Sequence, residues 1–120
     1  MMFDSADTTR LEQAANIWLA TVRADNSPHL VPIWFVWLDN KAYLCTARQS
    51  VKARNIAANR RVALALEDGS DPLVFEGVAQ ILQNAPDAVA AAFLKKYDWD
   101  IRGDSTYDLV IEITPQRVVL

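Results

Sequence analysis

The stretch HLVPIWFVWLDNKAYLCT, residues 29–46, decides the fold of this chain. Its first ten residues are rich in β-branched and aromatic side chains and hardly alternate with polar ones. They therefore predict one long strand, 29–38, that is buried on both faces. Pro32 within this run indicates an edge position or a bulge, because proline cannot donate to a neighbouring strand.

Turn residues flank this strand on both sides. Asp39 and Asn40 favour a tight reversal, and residues 41–46 predict the next strand. Before the quoted stretch, residues 17–23 predict a strand and the turn-forming residues 24–28 connect the two. With such short connections, the first three strands are expected to form an antiparallel meander.

The remaining sequence adds helices and strands in alternation. Helical spacing of apolar residues predicts helices at 4–16, 51–58 and 86–97, and further strands are predicted at 61–67, 73–82 and 109–113. Gly77 interrupts the predicted strand 73–82. The sequence thus predicts one domain, 1–120, of the α+β class and mainly β: a six-stranded antiparallel barrel with short flanking helices.

Composition excludes several classes of function. The chain has a net charge of −3 and a pI of about 5.0, which argues against binding nucleic acid with its general surface. Cys45 is the only cysteine and His29 the only histidine, so a disulfide or a Cys/His metal site is not expected. The polar N-terminus and the absence of a long apolar run predict a cytoplasmic protein with no membrane partner.

One window concentrates positive charge. Residues 40–66 contain no acidic side chain, and Ser50 lies where the predicted helix would begin. A helix start offers free N–H groups that suit a phosphate, and the hydroxyls of Thr46 and Ser50 can donate to it. A solvated helix start capped by Ser50 is the alternative. Half of the twelve basic residues lie in the window: Lys41, Arg48, Lys52, Arg54, Arg60 and Arg61.

A second group of candidates lies in PHLVPIWF, residues 28–35. Aromatic and proline residues on a strand can line a flat cofactor, and the same residues can equally form core or a dimer interface. His29 is expected to be a surface residue beside the turn. Trp99 is expected to anchor a loop, with a position over a ligand as one option. No nucleophile motif, P-loop or Cys/His pair is present, so no catalytic side chain is predicted.

Three segments together resemble a known family: LATVRADNSPHLVPIWFVW (19–37), YLCTARQSVKARNIAANRRVALAL (43–66) and VFEGVAQ (74–80). They are similar to the pyridoxamine 5′-phosphate oxidase-related, flavin- and deazaflavin-binding split β-barrel proteins. The resemblance implies a homodimer with a flavin-type cofactor at its interface. The implied cofactor-binding residues are Val31, Pro32, Ile33 and Trp34 for the ring, and Thr46, Ser50 and Lys52 for the phosphate, with Arg48 and Asn55 as neighbours.

The function expected from this resemblance is an FMN-dependent oxidoreductase of a small molecule. The chain ends at Leu120, before the longer C-terminal segment with which oxidases of vitamin salvage bind substrate, so a different substrate is expected. A reductase using the deazaflavin coenzyme F-420, a non-catalytic flavin- or haem-binding protein, and a structural dimer with an empty cleft are the alternatives.

Overall fold

The computed structural model describes residues 2–120, which form seven strands, three α-helices and one 3-10 turn. The α-helices are α1 (Ser5–Gln13), α2 (Val51–Ala58) and α3 (Asp87–Tyr97). The strands are β1 (Ile17–Val22), β2 (Pro28–Ile33), β3 (Val36–Leu38), β4 (Lys41–Thr46), β5 (Arg61–Ala65), β6 (Val74–Leu82) and β7 (Leu109–Val118). No helix of this part of the chain is both long and apolar enough to cross a membrane.

All seven strands belong to one antiparallel sheet in the order β2-β1-β5-β6-β7-β4-β3. The two edge strands, β2 and β3, are consecutive in the chain and are separated only by Trp34 and Phe35. Two residues cannot cross an open sheet of seven strands, so the sheet must curl until its edges meet. The predicted α+β class and split antiparallel barrel are therefore confirmed.

Although both antiparallel pairings of the predicted meander are present, the predicted number of strands is wrong, because strand 29–38 breaks in the middle. Its first half pairs with β1 and its second half with β4. At the break, the Phe35 N–H donates to the Tyr97 hydroxyl over 3.0 Å, and the Phe35 carbonyl accepts from Lys96 Nζ over 2.8 Å. Side chains of α3 thus take the backbone groups that a continuous ladder would use, and seven strands result.

The break also changes how the aromatic run is buried. Burial on both faces holds for β3 but is wrong for β2, where half-buried and exposed residues alternate. The reason is that β2 is an edge strand whose outer side chains have no packing element above them. The inner, half-buried residues of β2 are His29, Val31 and Ile33, and the exposed ones are Pro28, Leu30 and Pro32.

Two hydrophobic clusters hold the barrel together. The larger fills its interior, where Phe35, Phe75 and Ile111 are fully buried and Ile56 of α2 joins them. The smaller lies outside the sheet, where Val89 and Phe93 of α3 pack on the outer residues of β3, β4 and β7. Fully burying a side chain of this size stabilises the fold by about 1.5–3 kcal/mol. Helix α3 is thereby fixed against the wall of the barrel, beside the break.

Two local features of the backbone agree with the sequence. Asp39 and Asn40 have φ angles of 53° and 60°, the left-handed pair that a tight hairpin turn requires. The register of β6 shifts at Gly77, where a Cβ atom would lie 2.6 Å from the carbonyl oxygen of Thr114. Glycine is therefore needed at this bulge. Strand β7 continues to Val118, beyond the predicted end at 113, because it pairs with β6 from Phe75 to Leu82.

Candidate functional site

The start of α2 has the predicted geometry. Ser50 is the N-cap residue, and its Oγ accepts a hydrogen bond of 3.2 Å from the Ala53 N–H. Thr46 Oγ1 lies 3.0 Å from the same oxygen, and Thr46 is only 1% exposed. The two hydroxyls therefore join the end of β4 to the first turn of α2. Because Ser50 Oγ accepts from Ala53 and can also accept from Thr46, its own hydrogen is free to point outward.

Lys52 lies in the first turn of α2 and is half-buried. Burial lowers the pKa of its ammonium, because the charged form loses hydration. Within residues 2–120, no carboxylate oxygen lies within 4.0 Å of the Lys52 ammonium. A partly dehydrated cation of this kind gains free energy when an anion is placed beside it.

A cavity of about 610 Å³ opens between the end of β2, the end of β4, the start of α2 and the loop that joins α3 to β7. It brings Lys52 together with three of the residues predicted to line a cofactor ring, although they lie about twenty positions apart in sequence. The lining residues are Pro32, Ile33, Trp34, Cys45, Lys52, Tyr97, Asp98, Trp99, Asp104 and Tyr107.

Other predicted residues do not line this cavity. Val31 faces inward opposite Leu19 of β1. Arg48 is exposed and forms an ion pair of 3.0 Å with Asp108. Asn55 is buried, and its amide nitrogen donates to Thr21 Oγ1 over 2.9 Å, which fixes α2 to β1. Thr46 and Ser50 do not line the cavity either, so of the nine predicted cofactor-binding residues it brings together Pro32, Ile33, Trp34 and Lys52.

The six basic residues of the acid-free window do not form one patch. Lys41 pairs with Glu112 over 3.5 Å, and Arg60 Nε donates to the Ala79 carbonyl over 2.9 Å. Arg61 lies on the outer face of β5, beside another concavity. The strands carry these charges to different sides of the barrel, so Lys52 is the member of the window that faces the cavity.

Aromatic side chains from the β2–β3 junction, the end of α3 and the α3–β7 loop line the cavity together. Trp34 is 51% exposed and stacks on Tyr97, with ring centroids 4.5 Å apart and planes only 5° apart. Trp99 contacts Trp34 edge-on at 6.0 Å and Tyr107 at 6.0 Å. Its indole Nε1 donates to Asp104 Oδ2 over 3.1 Å. Trp99 thus anchors the loop and also lines the cavity.

Sequence reasoning missed most of this wall. Of the residues contributed by the loop, only Trp99 was singled out as a candidate. The available signal was the alternation of aromatic and acidic residues in YDWDIRGDSTYD, 97–108. Such alternation on a loop is unusual for a segment that only connects two elements, because large aromatic side chains seek burial.

His29 and Cys45 show how the environment limits reactivity. His29 is half-buried rather than on the surface, and its Nδ1 is buried without a hydrogen-bond partner among residues 2–120. Burial, followed by the charges of Arg23 and Lys52, lowers the pKa of His29. Burial and then Asp104 raise the pKa of the Cys45 thiol to about 12. Across the described residues, no His, Cys, Asp and Glu side chains cluster as metal ligands would.

Comparison with known families identifies the class of protein. The family model described as pyridoxamine 5′-phosphate oxidase matches residues 4–120, nearly the whole chain. The chain therefore belongs to the pyridoxamine 5′-phosphate oxidase-related family. No curated protein matches it significantly.

Solved structures share the fold. An F420 reductase is 23% identical, with a TM-score of 0.79 and 98% of each chain covered. The heme storage protein HutZ from Vibrio cholerae is 20% identical, with a TM-score of 0.79, and 98% of this chain and 92% of that chain are covered. General Stress Protein 26 from Bacillus anthracis is 30% identical, with a TM-score of 0.71, and 90% of this chain and 84% of that chain are covered.

Proposed function

We propose that this protein binds a flavin-type cofactor in the cavity beside Lys52 and acts as an oxidoreductase on a small molecule. FMN is the first candidate for the cofactor and the deazaflavin coenzyme F-420 the second. The observation that carries the proposal is the meeting of Lys52 with Pro32, Ile33 and Trp34 in one cavity. Family membership supports it, and the F420 reductase of the same fold makes the deazaflavin a reasonable second candidate.

The cavity has the size and chemistry that such a cofactor needs. Its volume of about 610 Å³ lies within the usual range for small-molecule sites, roughly 300–1,000 Å³. β2 is an edge strand, so alternate backbone groups on its free side are available for the polar edge of a ring. Pro32 and Ile33 add apolar surface for the ring itself.

The phosphate would lie at the start of α2. Lys52 would provide the charge, and the free hydroxyl hydrogen of Ser50 and the first N–H groups of the helix would donate to phosphate oxygens. Thr46 would act indirectly, because its hydroxyl bonds Ser50 Oγ and orients it. Asn55 would hold the helix in place through Thr21, and Arg48 would remain at the rim in its ion pair with Asp108.

A bound flavin or deazaflavin supplies two-electron hydride chemistry. The residues of this chain would bind the cofactor, orient its ring along β2 and shield one face from water with the α3–β7 loop. Such a division of labour does not require an acid–base side chain in the cavity. The Cys45 thiol fits this role as a passive wall residue, because its pKa of about 12 keeps it protonated.

A second copy of the chain would cover the outer face of β2, β1 and β5. Leu30 on this face is 60% exposed, and a concavity of about 610 Å³ runs across Ala20 and Ala63, with Arg61 also lining it. An exposed leucine beside a hollow lined by apolar and charged side chains suits a self-complementary interface. Sedimentation of Leu30→Glu should show monomers, whereas Leu94→Glu, at a leucine 51% exposed on α3, should leave the dimer intact.

The test of the phosphate assignment uses two lysines. Purified protein is titrated with FMN and, separately, with coenzyme F-420, and binding is followed by quenching of cofactor fluorescence. Lys52→Gln should weaken binding roughly tenfold to a hundredfold, the loss expected for a charge-assisted hydrogen bond. Lys95→Gln, which removes an exposed charge from α3, should leave affinity unchanged. Equal affinity of wild type and Lys52→Gln would refute the assignment.

Turnover separates catalysis from storage. Cofactor that is reduced by a nicotinamide donor and reoxidised by an added acceptor supports the oxidoreductase, and a bound cofactor inert to both supports a non-catalytic flavin protein. Haem is the weakest candidate, because His29, the only histidine, faces the inside of the barrel and does not line the cavity.

A further inference from the structure

The end of the cavity away from Lys52 has a chemistry of its own. It is formed by Trp34 and by the loop 98–107, which contributes Asp98, Trp99, Asp104 and Tyr107. In the proposed function this end holds no part of the phosphate, because the phosphate is placed at Lys52 and the start of α2. Its residues therefore decide which molecule can lie next to the cofactor ring.

The aromatic geometry favours a flat ligand. One face of Trp34 is occupied by Tyr97, stacked at 4.5 Å, yet half of the Trp34 side chain remains exposed. The edge-on contact of Trp99 with Trp34 holds the exposed ring in a fixed orientation. A rigid indole face that is open to a cavity is a stacking surface for planar rings, and it also attracts cations through its π electrons.

The charges of this end are negative. Asp104 Oδ1 accepts hydrogen bonds of 2.9 Å from the N–H groups of Thr106 and Tyr107, and its Oδ2 accepts from Trp99. These bonds lower the pKa of Asp104, with the backbone donors contributing most, so the carboxylate stays ionised at neutral pH. Asp98, exposed at the end of α3, adds a second carboxylate. Lys52 is the one basic residue among the described residues lining the cavity.

We propose that the Trp34–Trp99–Tyr107 end of the cavity binds planar aromatic molecules that are neutral or cationic, and that Asp98 and Asp104 exclude anionic ones. The inference rests on the proposed function in placing this end beside a cofactor ring. It adds the class of substrate: a flat, uncharged or positively charged ring system. Carboxylated and phosphorylated substrates are disfavoured, because two carboxylates repel them and the one lysine is occupied by the cofactor phosphate.

Three probes that share one planar ring system and differ in charge test this class. Quinoline, 1-methylquinolinium and quinoline-2-carboxylate are titrated into the purified protein, with and without bound FMN, and dissociation constants are measured by calorimetry. The cation should bind most tightly, the neutral ring next and the anion least. A carboxylate probe that binds as well as the cation would overturn the inference.

Substitutions test whether Asp98, Asp104 and Trp34 cause the preference for cationic over anionic rings. Asp98→Asn with Asp104→Asn should reduce the ratio of cation to anion affinity by about fivefold, the scale of two solvent-exposed charge pairs. Glu12→Gln, which removes an exposed charge on α1, should leave the ratio unchanged. Trp34→Ala should weaken all three probes together. If Glu12→Gln lowers the ratio as much as the double variant, the preference is a property of net charge and the inference fails.

The two proposals fail in different ways. If neither FMN nor coenzyme F-420 binds but the order of the three probes holds, the cofactor proposal is wrong and the ligand class stands. If FMN binds and Lys52→Gln weakens it while the probes show no order, the cofactor proposal stands and the ligand class is wrong.

Discussion

Two junctions border the cavity, and they are held in opposite ways. At the junction of β4 and α2, Thr46 bonds Ser50, four positions later, and Ser50 caps its own helix. At the junction of β2 and β3, Phe35 is bonded by Tyr97, 62 positions later, and by Lys96. The first junction forms from its own residues, whereas the second exists only after α3 has packed against the barrel.

The difference between the two junctions shows which of them the closure of the barrel depends on. Closure of the sheet depends on the break at Trp34–Phe35, because this is where its two edges meet. The hydroxyl of Tyr97 contacts the backbone N–H and the carbonyl of Phe35, and also the carbonyl of Ala15. This one side chain therefore joins α3 to the β2–β3 junction and to the segment that follows α1. The helix start at Ser50 contacts only its immediate neighbours, and its loss should remain local.

The largest effect on stability is expected at the junction of β2 and β3, which Tyr97 holds. Tyr97→Ala removes the three contacts of the hydroxyl and the stacking on Trp34 and Phe93, and should lower the free energy of unfolding by about 3 kcal/mol or more. Tyr97→Phe should lower it by only about 1–2 kcal/mol. Urea unfolding measures both. Tyr107→Ala, at an exposed tyrosine of the same cavity, is the control. If it destabilises the protein as much as Tyr97→Ala, the special role of Tyr97 at the β2–β3 junction is refuted.

A smaller effect is expected at the local junction. Ser50→Ala removes the cap of α2 and leaves the buried hydroxyl of Thr46 without its acceptor, and should lower the free energy of unfolding by about 1–2 kcal/mol. Hydrogen exchange should show faster opening of α2 and unchanged protection of β2 and β3. Ser105→Ala, in the exposed loop, is the matched control. Faster exchange in β2 would show that this junction is not local.

A further effect, seen only at high pH, concerns Lys96. Burial lowers the pKa of Lys96 from 10.5 to about 8. The Phe35 ring, 4.2 Å from Nζ, opposes this shift, but a cation–π contact is worth only about 0.5–1 kcal/mol at sites near the surface, less than one pKa unit. Between pH 8 and 10.5 the unfolded chain binds more protons at this residue than the folded one, so stability should rise with pH.

Lys96→Met should flatten this rise, as measured by urea unfolding at pH 7.5, 9 and 10. Lys95→Met, at the exposed neighbour, should keep the wild-type slope. A steeper rise in Lys96→Met would mean that the lysine is better stabilised as a cation in the folded protein than its burial indicates.

The same contrast explains what the sequence could predict. The bounds of α2, the cap at Ser50, the turn at Asp39–Asn40 and the bulge at Gly77 depend on neighbours or on close backbone approach, and short-range patterns predict them. The break at Trp34–Phe35 was missed, because a run of β-branched and aromatic residues gives no sign of a partner 62 positions away. Within the candidate site, the partners of Arg48 and Asn55 are Asp108 and Thr21, which only the fold brings near.

The position of Cys45 makes its thiol a chemical probe of the 98–107 loop. The thiol lines the cavity together with Trp99 and Tyr107, and its pKa of about 12 leaves almost no thiolate at neutral pH. We expect an alkylating reagent to modify this thiol slowly while the 98–107 loop stays packed, and faster in a variant that loosens the loop, such as Trp99→Ala. Since no other cysteine competes for the label, the rate of modification reports on the surroundings of this one sulfur.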